Sequence, residues 1–404
     1  MLKKMLLIII NSLLVMSFFS FGMGKRPNEN LQITESKSSF RLFSYGNVHY
    51  LLDPNDNPFF TIGVNHISAM SWPSPMPIFE SKYNGNWNEA AEDIKRNLYK
   101  WNFNSAGYGT PPELQKLMPF MMPCQPLVQN SGYHGKEDFS YADIFDPKVK
   151  KNILNKIKNM TRVKDNPNLI GYYWTDTPMW DLERSSRRFG INWVDFIKNL
   201  PDQSPGKIKY LEFKRSCLLK QYPAKDEEFL KIIAKEYYGL IGPETKRLDP
   251  DTLIFGERYL SNNHPQGILD EALPYIDVVA IQPFGDRFNG DYFDRLYAYV
   301  KKPIIICDHQ CSFPTHNHKN TMWLQLESQE DVCYAYQNFL FDAAKKPYII
   351  GYHRCQYMDR FNEDIMQLKQ GMVQENGSAY EPHASLVTEI NKKAIFIFSK
   401  RIKQ

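Results

Sequence analysis

Apolar runs of strand length recur along this chain, separated by helical patterns, and each runs into polar residues at its end. The runs fall at residues 59–64, 103–108, 120–128, 169–176, 252–255, 278–281, 303–307 and 348–352. Between them, residues 87–101, 147–163, 266–274, 292–300 and 329–344 repeat apolar side chains at helical spacing, as Ala91, Ile94, Leu98 and Trp101 do. Eight strands alternating with helices or long crossovers predict an α/β fold, the (β/α)8 TIM barrel. The competing open, doubly wound sheet often carries a glycine-rich phosphate loop, and neither G-x-G-x-x-G nor a P-loop is present. Short strands at 41–43 and 49–52, followed by the turn-forming stretch 53–58, predict an N-terminal β-hairpin that closes the barrel bottom. The barrel is expected over 40–395, with a helical insertion at 181–249 after the fourth strand and a C-terminal tail at 396–404.

Residues 1–24 read differently. Lys3 and Lys4 precede the apolar run 5–16, and small residues follow from Ser20 to Gly24, the layout of a secretory signal peptide. An uncleaved anchor is the alternative, and no cysteine near the exit supports a lipid anchor. Removing the segment lowers the formal net charge from +4 to +2 by taking away Lys3 and Lys4. The lysine-rich parts at 148–164 and 225–246 are spread through helical patterns, so nucleic-acid binding is not expected. No membrane contact is expected after cleavage, and the location is secreted or periplasmic. Cys124, Cys217, Cys307, Cys311, Cys333 and Cys355 lack framework spacing and are expected to be mostly buried thiols, with a pairing among Cys307, Cys311 and Cys355 left open.

In such barrels the site lies at the strand C-termini, where this sequence puts His66, Asp176, Glu257, Arg258, Gln282, Asp308, His309 and His353. Buried apolar runs lead straight into two of these, Asp176 and Asp308. Strict alternation places Ile170, Tyr172, Trp174 and Asp176 on one face, with Trp174 as an aromatic wall for a sugar beside the acid. A pair of carboxylic acids can divide proton chemistry, one neutral and donating to a leaving oxygen, the other ionised as nucleophile or base. This requires no metal and no cofactor. Glu257 is a spare acid, read either as part of that mechanism or as an arginine's ion-pair partner.

Three motifs extend the reading: D-P-N-D-N-P-F-F-T-I-G-V-N-H ending at His66, N-P-N-L-I-G-Y-Y-W-T-D ending at Asp176, and I-I-G-Y-H-R-C-Q-Y-M-D-R ending at Arg360. With Gly371-Met372-Val373 and Ala379-Tyr380-Glu381-Pro382 they resemble the large clan of (β/α)8 retaining glycoside hydrolases that includes family 42 β-galactosidases and family 50 agarases, the agarases especially. The resemblance implies an acid/base at Asp176, a nucleophile at Asp308, sugar contacts from His66, His309, His353 and Tyr357, and a galactose-containing polysaccharide or oligosaccharide as substrate. The chain departs from the clan's pattern, which has Asn-Glu where Thr175-Asp176 stand and Glu at Asp308. A one-residue shift would instead match Asp176 to the clan's Asn and put Thr177 in the acid's place. In the first register each Asp is shorter than Glu by roughly 1.5 Å. That could widen the carboxyl gap from the retaining to the inverting range.

Two rival readings remain. A metal-dependent hydrolase could use His66, His264, Asp308, His309 and His353, but such sites usually begin with H-x-H on the first strand, where this chain has Asn65-His66. The H-x-H at 316–318 falls in a loop. A non-catalytic glycan-binding barrel would hold sugars on Trp72, Trp174 and Trp180. The sequence leaves oligomeric state open.

Overall fold

A computed structural model describes residues 39–261, 265–362 and 367–403. The expected signal peptide and His264 lie outside the described residues. An antiparallel sheet comes first, β1 (Arg41–Tyr45), β2 (Val48–Leu52) and β3 (Pro58–Phe59), adding a third strand to the expected hairpin. Eight parallel strands then close into a barrel: β4 (Thr61–Val64), β5 (Ser105–Ala106), β6 (Phe120–Pro123), β7 (Leu169–Asp176), β8 (Leu253–Leu260), β9 (Val279–Gln282), β10 (Ile304–His309) and β11 (Ile349–Arg354). Pairing of Gly351 with Thr61 through Arg354 with Val64 joins last strand to first. The fold is the expected α/β TIM barrel.

The barrel interior is filled by Met121, Ile170, Tyr173, Phe255, Val278, Ala280, Ile305, Cys307 and Ile350, with Phe40 and Leu51 of the N-terminal segment in the same cluster. A second apolar layer lies between the strands and the helices, where Ile62, Val64 and Ile254 meet residues such as Leu98, Ile157 and Leu340. Helix Trp87–Lys100 begins on the Asn86 side chain and buries Ala90, Ala91, Ile94 and Leu98, close to the expected span. After β7 the chain makes helices Leu182–Phe189, Trp193–Lys198, Pro205–Leu219 and Asp226–Leu248 before returning to β8.

Differences from the sequence pattern have local causes. Strand β5 is two residues long because the Asn104 side chain takes over pairing, accepting from Ile62 N at 2.8 Å and donating to Phe60 O at 2.9 Å. Strand β6 stops at Pro123, as expected for residues without an N–H to donate. Strand β8 runs on to Leu260, so Glu257 and Arg258 lie within it and face opposite ways. Beyond β11 the chain adds a hairpin, β12 (Arg360–Asn362) and β13 (Gln367–Lys369), which has no strong sequence pattern. All six cysteines are free, so Cys307, Cys311 and Cys355 do not pair.

The final helix, His383–Arg401, continues through position 396. Arg401 ends it by donating to the carbonyls of Ala344 at 3.1 Å, Ile349 at 2.9 Å, His49 at 3.2 Å and Lys346. One guanidinium thus ties the C-terminal helix to the entry of β11 and to the N-terminal sheet. Replacing Arg401 by Met removes the guanidinium donor from all four carbonyls, of which Lys346 O keeps the Ile349 N–H, and should cost about 2–4 kcal/mol, since hydrogen bonds to a charged group are the stronger class. Urea unfolding of R401M should show a lower midpoint with an unchanged slope; an unchanged midpoint would remove the tie from this account.

Candidate active site

The polar centre at the C-terminal mouth of the barrel is built on Arg258. This guanidinium is fully buried, 3.2 Å from Asp176 Oδ1 through Nη1 and 2.7 Å from Asp308 Oδ2 through Nη2. It lies over the Tyr108 ring, 4.4 Å from the centroid. Asp308 has further partners: Asn65 Nδ2 donates to Oδ1 at 2.8 Å, and His66 Nε2 stands 3.5 Å from Oδ2, long for a hydrogen bond. Asn65 is itself fixed, donating to Cys307 O at 2.9 Å and accepting from Tyr108 N at 2.8 Å.

The two acids therefore sit in unequal surroundings. Burial opposes ionisation of Asp308, but Arg258 and His66 outweigh it and hold the carboxyl well below the usual range. Burial dominates at Asp176, and Asp308 adds like-charge repulsion, so its affinity for a proton is raised despite Arg258. Burial, helped by Lys369, lowers His66 to about 3, which keeps the imidazole neutral. The site therefore favours one ionised carboxylate, one acid disposed to keep its proton, and a neutral histidine.

Gln282 reaches this centre from β9 and donates Nε2 to the Tyr133 hydroxyl. The Tyr133 loop is anchored along the end of β7, where Gly132 N donates to Thr177 O at 2.9 Å and Ser131 pairs with Pro178. Lys369, at the end of β13, lies 5.7 Å from the Tyr133 ring centroid, and Arg360, at the start of β12, lies 4.3 Å from that of Trp72. Tyr133, Arg360 and Lys369 are given no role in the sequence reading, because they come from a loop and from two three-residue strands with no apolar periodicity.

Of the expected site residues, the structure brings together Asp176, Asp308, His66, Arg258 and Gln282. His353 lies beneath them, its Nε2 2.8 Å from Thr61 Oγ1, and burial lowers it to about 3. It supports the floor and is fully buried, so the expected sugar contact is corrected. Trp174 is corrected too: the β7–β8 register shifts after Tyr172 and again before Asp176, so the expected alternation breaks. Tyr172 and Trp174 join the helix-side core, and Trp174 packs on Tyr238 at 5.9 Å. Glu257 faces that same side, fully buried near Tyr237 and Thr175, and burial raises its carboxyl well above the ordinary range. It has no arginine partner among the described residues. His309 turns outward where the β10–β11 register shifts, stacking on Phe339 at 3.9 Å with Nδ1 2.8 Å from the Tyr352 hydroxyl and Nε2 2.8 Å from Gly285 O. Tyr357 is buried against Trp101 and accepts from Asn97 Nδ2 at 3.0 Å, away from the mouth.

Among the described residues, one group of potential metal ligands lies close together: His66, Asp308 and Cys355, with donor atoms within 4.8 Å of one another. The surrounding charge is wrong for a cation. Arg258 already occupies Asp308 Oδ2, while Lys369 and Arg360 both press positive charge on Cys355. The H-x-H at 316–318 lies on an outer loop, where His318 Nε2 is 3.0 Å from Glu375 Oε2.

Fold and site together define a (β/α)8 barrel with a buried, arginine-bridged pair of carboxyls at its mouth. This is the barrel that glycoside hydrolases carry. An agarase, AgWH50C, superposes with a TM-score of 0.72 at 16% identity, covering 89% of this chain and 64% of its own. An exo-beta-agarase gives 0.74 at 16%, with 90% and 65% covered, and BpGH50 gives 0.71 at 18%, with 94% and 85% covered. A GH2 beta-galacturonidase from Eisenbergiella tayi, bound to galacturonate, gives 0.53 at 15%. At these identities the likeness is one of fold, and the chain spans less than two thirds of the length of the first two agarases. No family model matches the sequence, and none of the curated proteins matches it.

The unequal surroundings of the acids set a pH signature. Asp176 has a folded pKa above its unfolded value of about 3.9, so the folded state binds more protons in between and loses stability as pH rises through that window. Asp176→Asn removes this penalty. Thermal melts should show D176N more stable than wild type at pH 7, the gap closing towards pH 3; a variant less stable at pH 7 would contradict the raised value. Asp308 has the opposite sign: its contribution is full above about 3.9 and is lost only in strong acid.

Proposed function

We propose that this protein is a glycoside hydrolase acting on a galactose-containing polysaccharide or oligosaccharide, with Asp176 donating the proton and Asp308 acting as the ionised carboxylate. The observation that carries the reading is the Arg258 bridge, which gives two neighbouring acids opposite tendencies to ionise at the C-terminal mouth of the barrel. The agarase neighbours support a galactan, and the position of the acids at the C-terminal mouth, where barrels of this kind bind ligand, supports a site there. We further propose that residues 1–24 direct export, which would bring the protein to such a substrate.

Chemistry follows from the charges. A glycosidic oxygen displacing the longer Arg258–Asp176 contact would meet a carboxyl disposed to carry a proton, which Asp176 gives to the leaving oxygen as the C–O bond breaks. Asp308, kept ionised by Arg258 and oriented by Asn65, faces the anomeric carbon as nucleophile, or activates water as base. Tyr133 and Gln282 border the mouth and must shift for a sugar to reach Asp308, which is 1% exposed. His66 remains neutral beside Asp308 and contributes polarity without a competing charge.

That closure also favours a second reading, the non-catalytic glycan-binding barrel, in which the bridge is structural and sugars stay at the rim. The same experiment separates the two. Wild type, D176N and D308N are incubated with agar and other galactan oligosaccharides, and released sugars are measured by chromatography. Hydrolysis is expected for wild type, with each variant slowed by about 10²–10⁴-fold. Binding by all three without release from any would replace the hydrolase with the glycan-binding barrel. Where turnover occurs, proton NMR of the first-formed anomer reads retention or inversion.

A further inference from the structure

We infer that Arg360 and Lys369 form a subsite for an anionic substituent on the glycan, a sulfate ester or a uronic carboxylate; this rests on the glycan reading above. Both cations sit at the mouth without a carboxylate partner among the described residues. Arg360 donates Nε to the neutral amide oxygen Oε1 of Gln356 at 2.9 Å and lies over Trp72 at 4.3 Å. Lys369 lies over Tyr133 at 5.7 Å, and Tyr133 is bonded to Gln282 of the central site. Arg360 and Lys369 are cross-strand neighbours in β12 and β13, and each sets its cation on an aromatic ring, Trp72 or Tyr133, from a chain-distant segment beside the acids. Trp72 is 53% exposed and Tyr133 41% exposed, so both cations stand next to rings on which a sugar face can stack.

The charge balance at the mouth makes this arrangement specific. Arg258 is matched by Asp308, and among the described residues no carboxylate lies within ion-pair distance of Arg360 or Lys369. Both reach the centre, since each bears on His66, Asp308 or Cys355. Arg360 is also half-buried, which penalises its charge, and among the described residues Asp308 offsets that only from a distance. A neutral galactan would leave that penalty in place. A sulfate or carboxylate on the sugar would remove it, with the planar guanidinium able to pair through two N–H groups and the ammonium through one. The same surplus explains why His66, Asp308 and Cys355 make a poor cation site.

The test is equilibrium binding by calorimetry, so that it does not depend on turnover. Three size-matched galactan oligosaccharides are compared, one neutral, one sulfated and one carrying a uronic acid, at low and moderate salt. Wild type should bind at least one anionic ligand about 10-fold or more tightly than the neutral one, with the preference shrinking as salt rises. The anionic ligand preferred identifies sulfate or carboxylate as the group recognised. The double variant R360Q/K369Q should keep its affinity for the neutral ligand and lose the preference, and K369E should disfavour the anionic ligands. Retained neutral affinity in these variants shows that they are folded. Equal or tighter binding of the neutral ligand by wild type would overturn the inference and leave the glycan reading standing, whereas binding of no galactan would overturn both.

Discussion

A guanidinium with no exposure to solvent is tolerable only if its charge is met inside the protein, and Arg258 meets it at Asp308. Much of the mouth follows from that pair. Asn65 is held between β10 and Tyr108 so that its amide reaches Asp308, His66 is kept neutral beside the same carboxylate, and Asp176 receives the weaker arm of the guanidinium. The result is asymmetry between two residues of the same type. Side-chain chemistry alone would give two aspartates one behaviour, and it is position that separates them.

The barrel supplies that position. Parallel strands in sequential order bring residues 65, 176, 258, 282 and 308 to one end, although they are scattered over most of the chain. Beneath them, the interior layer with Tyr173, Phe255 and Cys307 excludes water and strengthens every charge interaction above. Loops then complete the rim: the segment around Tyr133 is laid along the end of β7, and the β12–β13 hairpin carries Arg360 and Lys369 across from it. The floor is thus rigid sheet and the rim is loop, the division expected where binding residues are presented by a stable scaffold.

The barrel was legible because apolar runs and amphipathic helices each leave a period in the sequence, and Asp176, Asp308, Arg258, His66 and Gln282 were legible because they follow such runs. Facing was harder to read. Trp174 and His309 fail because register shifts in β7 and β10 break simple alternation, and a bulge leaves no mark in composition. Glu257 fails for the same reason: Phe255 faces the interior, and Gly256, at φ 66° where the β7–β8 register shifts, reverses the alternation so that Arg258 and not Glu257 turns inward. Tyr133, Arg360 and Lys369 lie in segments whose position depends on contacts with distant loops, and no local pattern encodes those. The Thr177 alternative rests on alignment with relatives and not on local geometry; Thr177 itself is buried, with Oγ1 3.3 Å from Ser131 Oγ.

The central claim is that Arg258 holds Asp308 ionised while Asp176 keeps its proton more readily than an ordinary aspartate. Carboxyl carbon shifts of ¹³C-labelled aspartates, assigned with D176N and D308N, report both directly across a pH titration. The account predicts that the Asp308 signal stays at its ionised position down to strongly acidic pH, while the Asp176 signal moves above the ordinary aspartate value of about 3.9. Two signals titrating together near that value would contradict it.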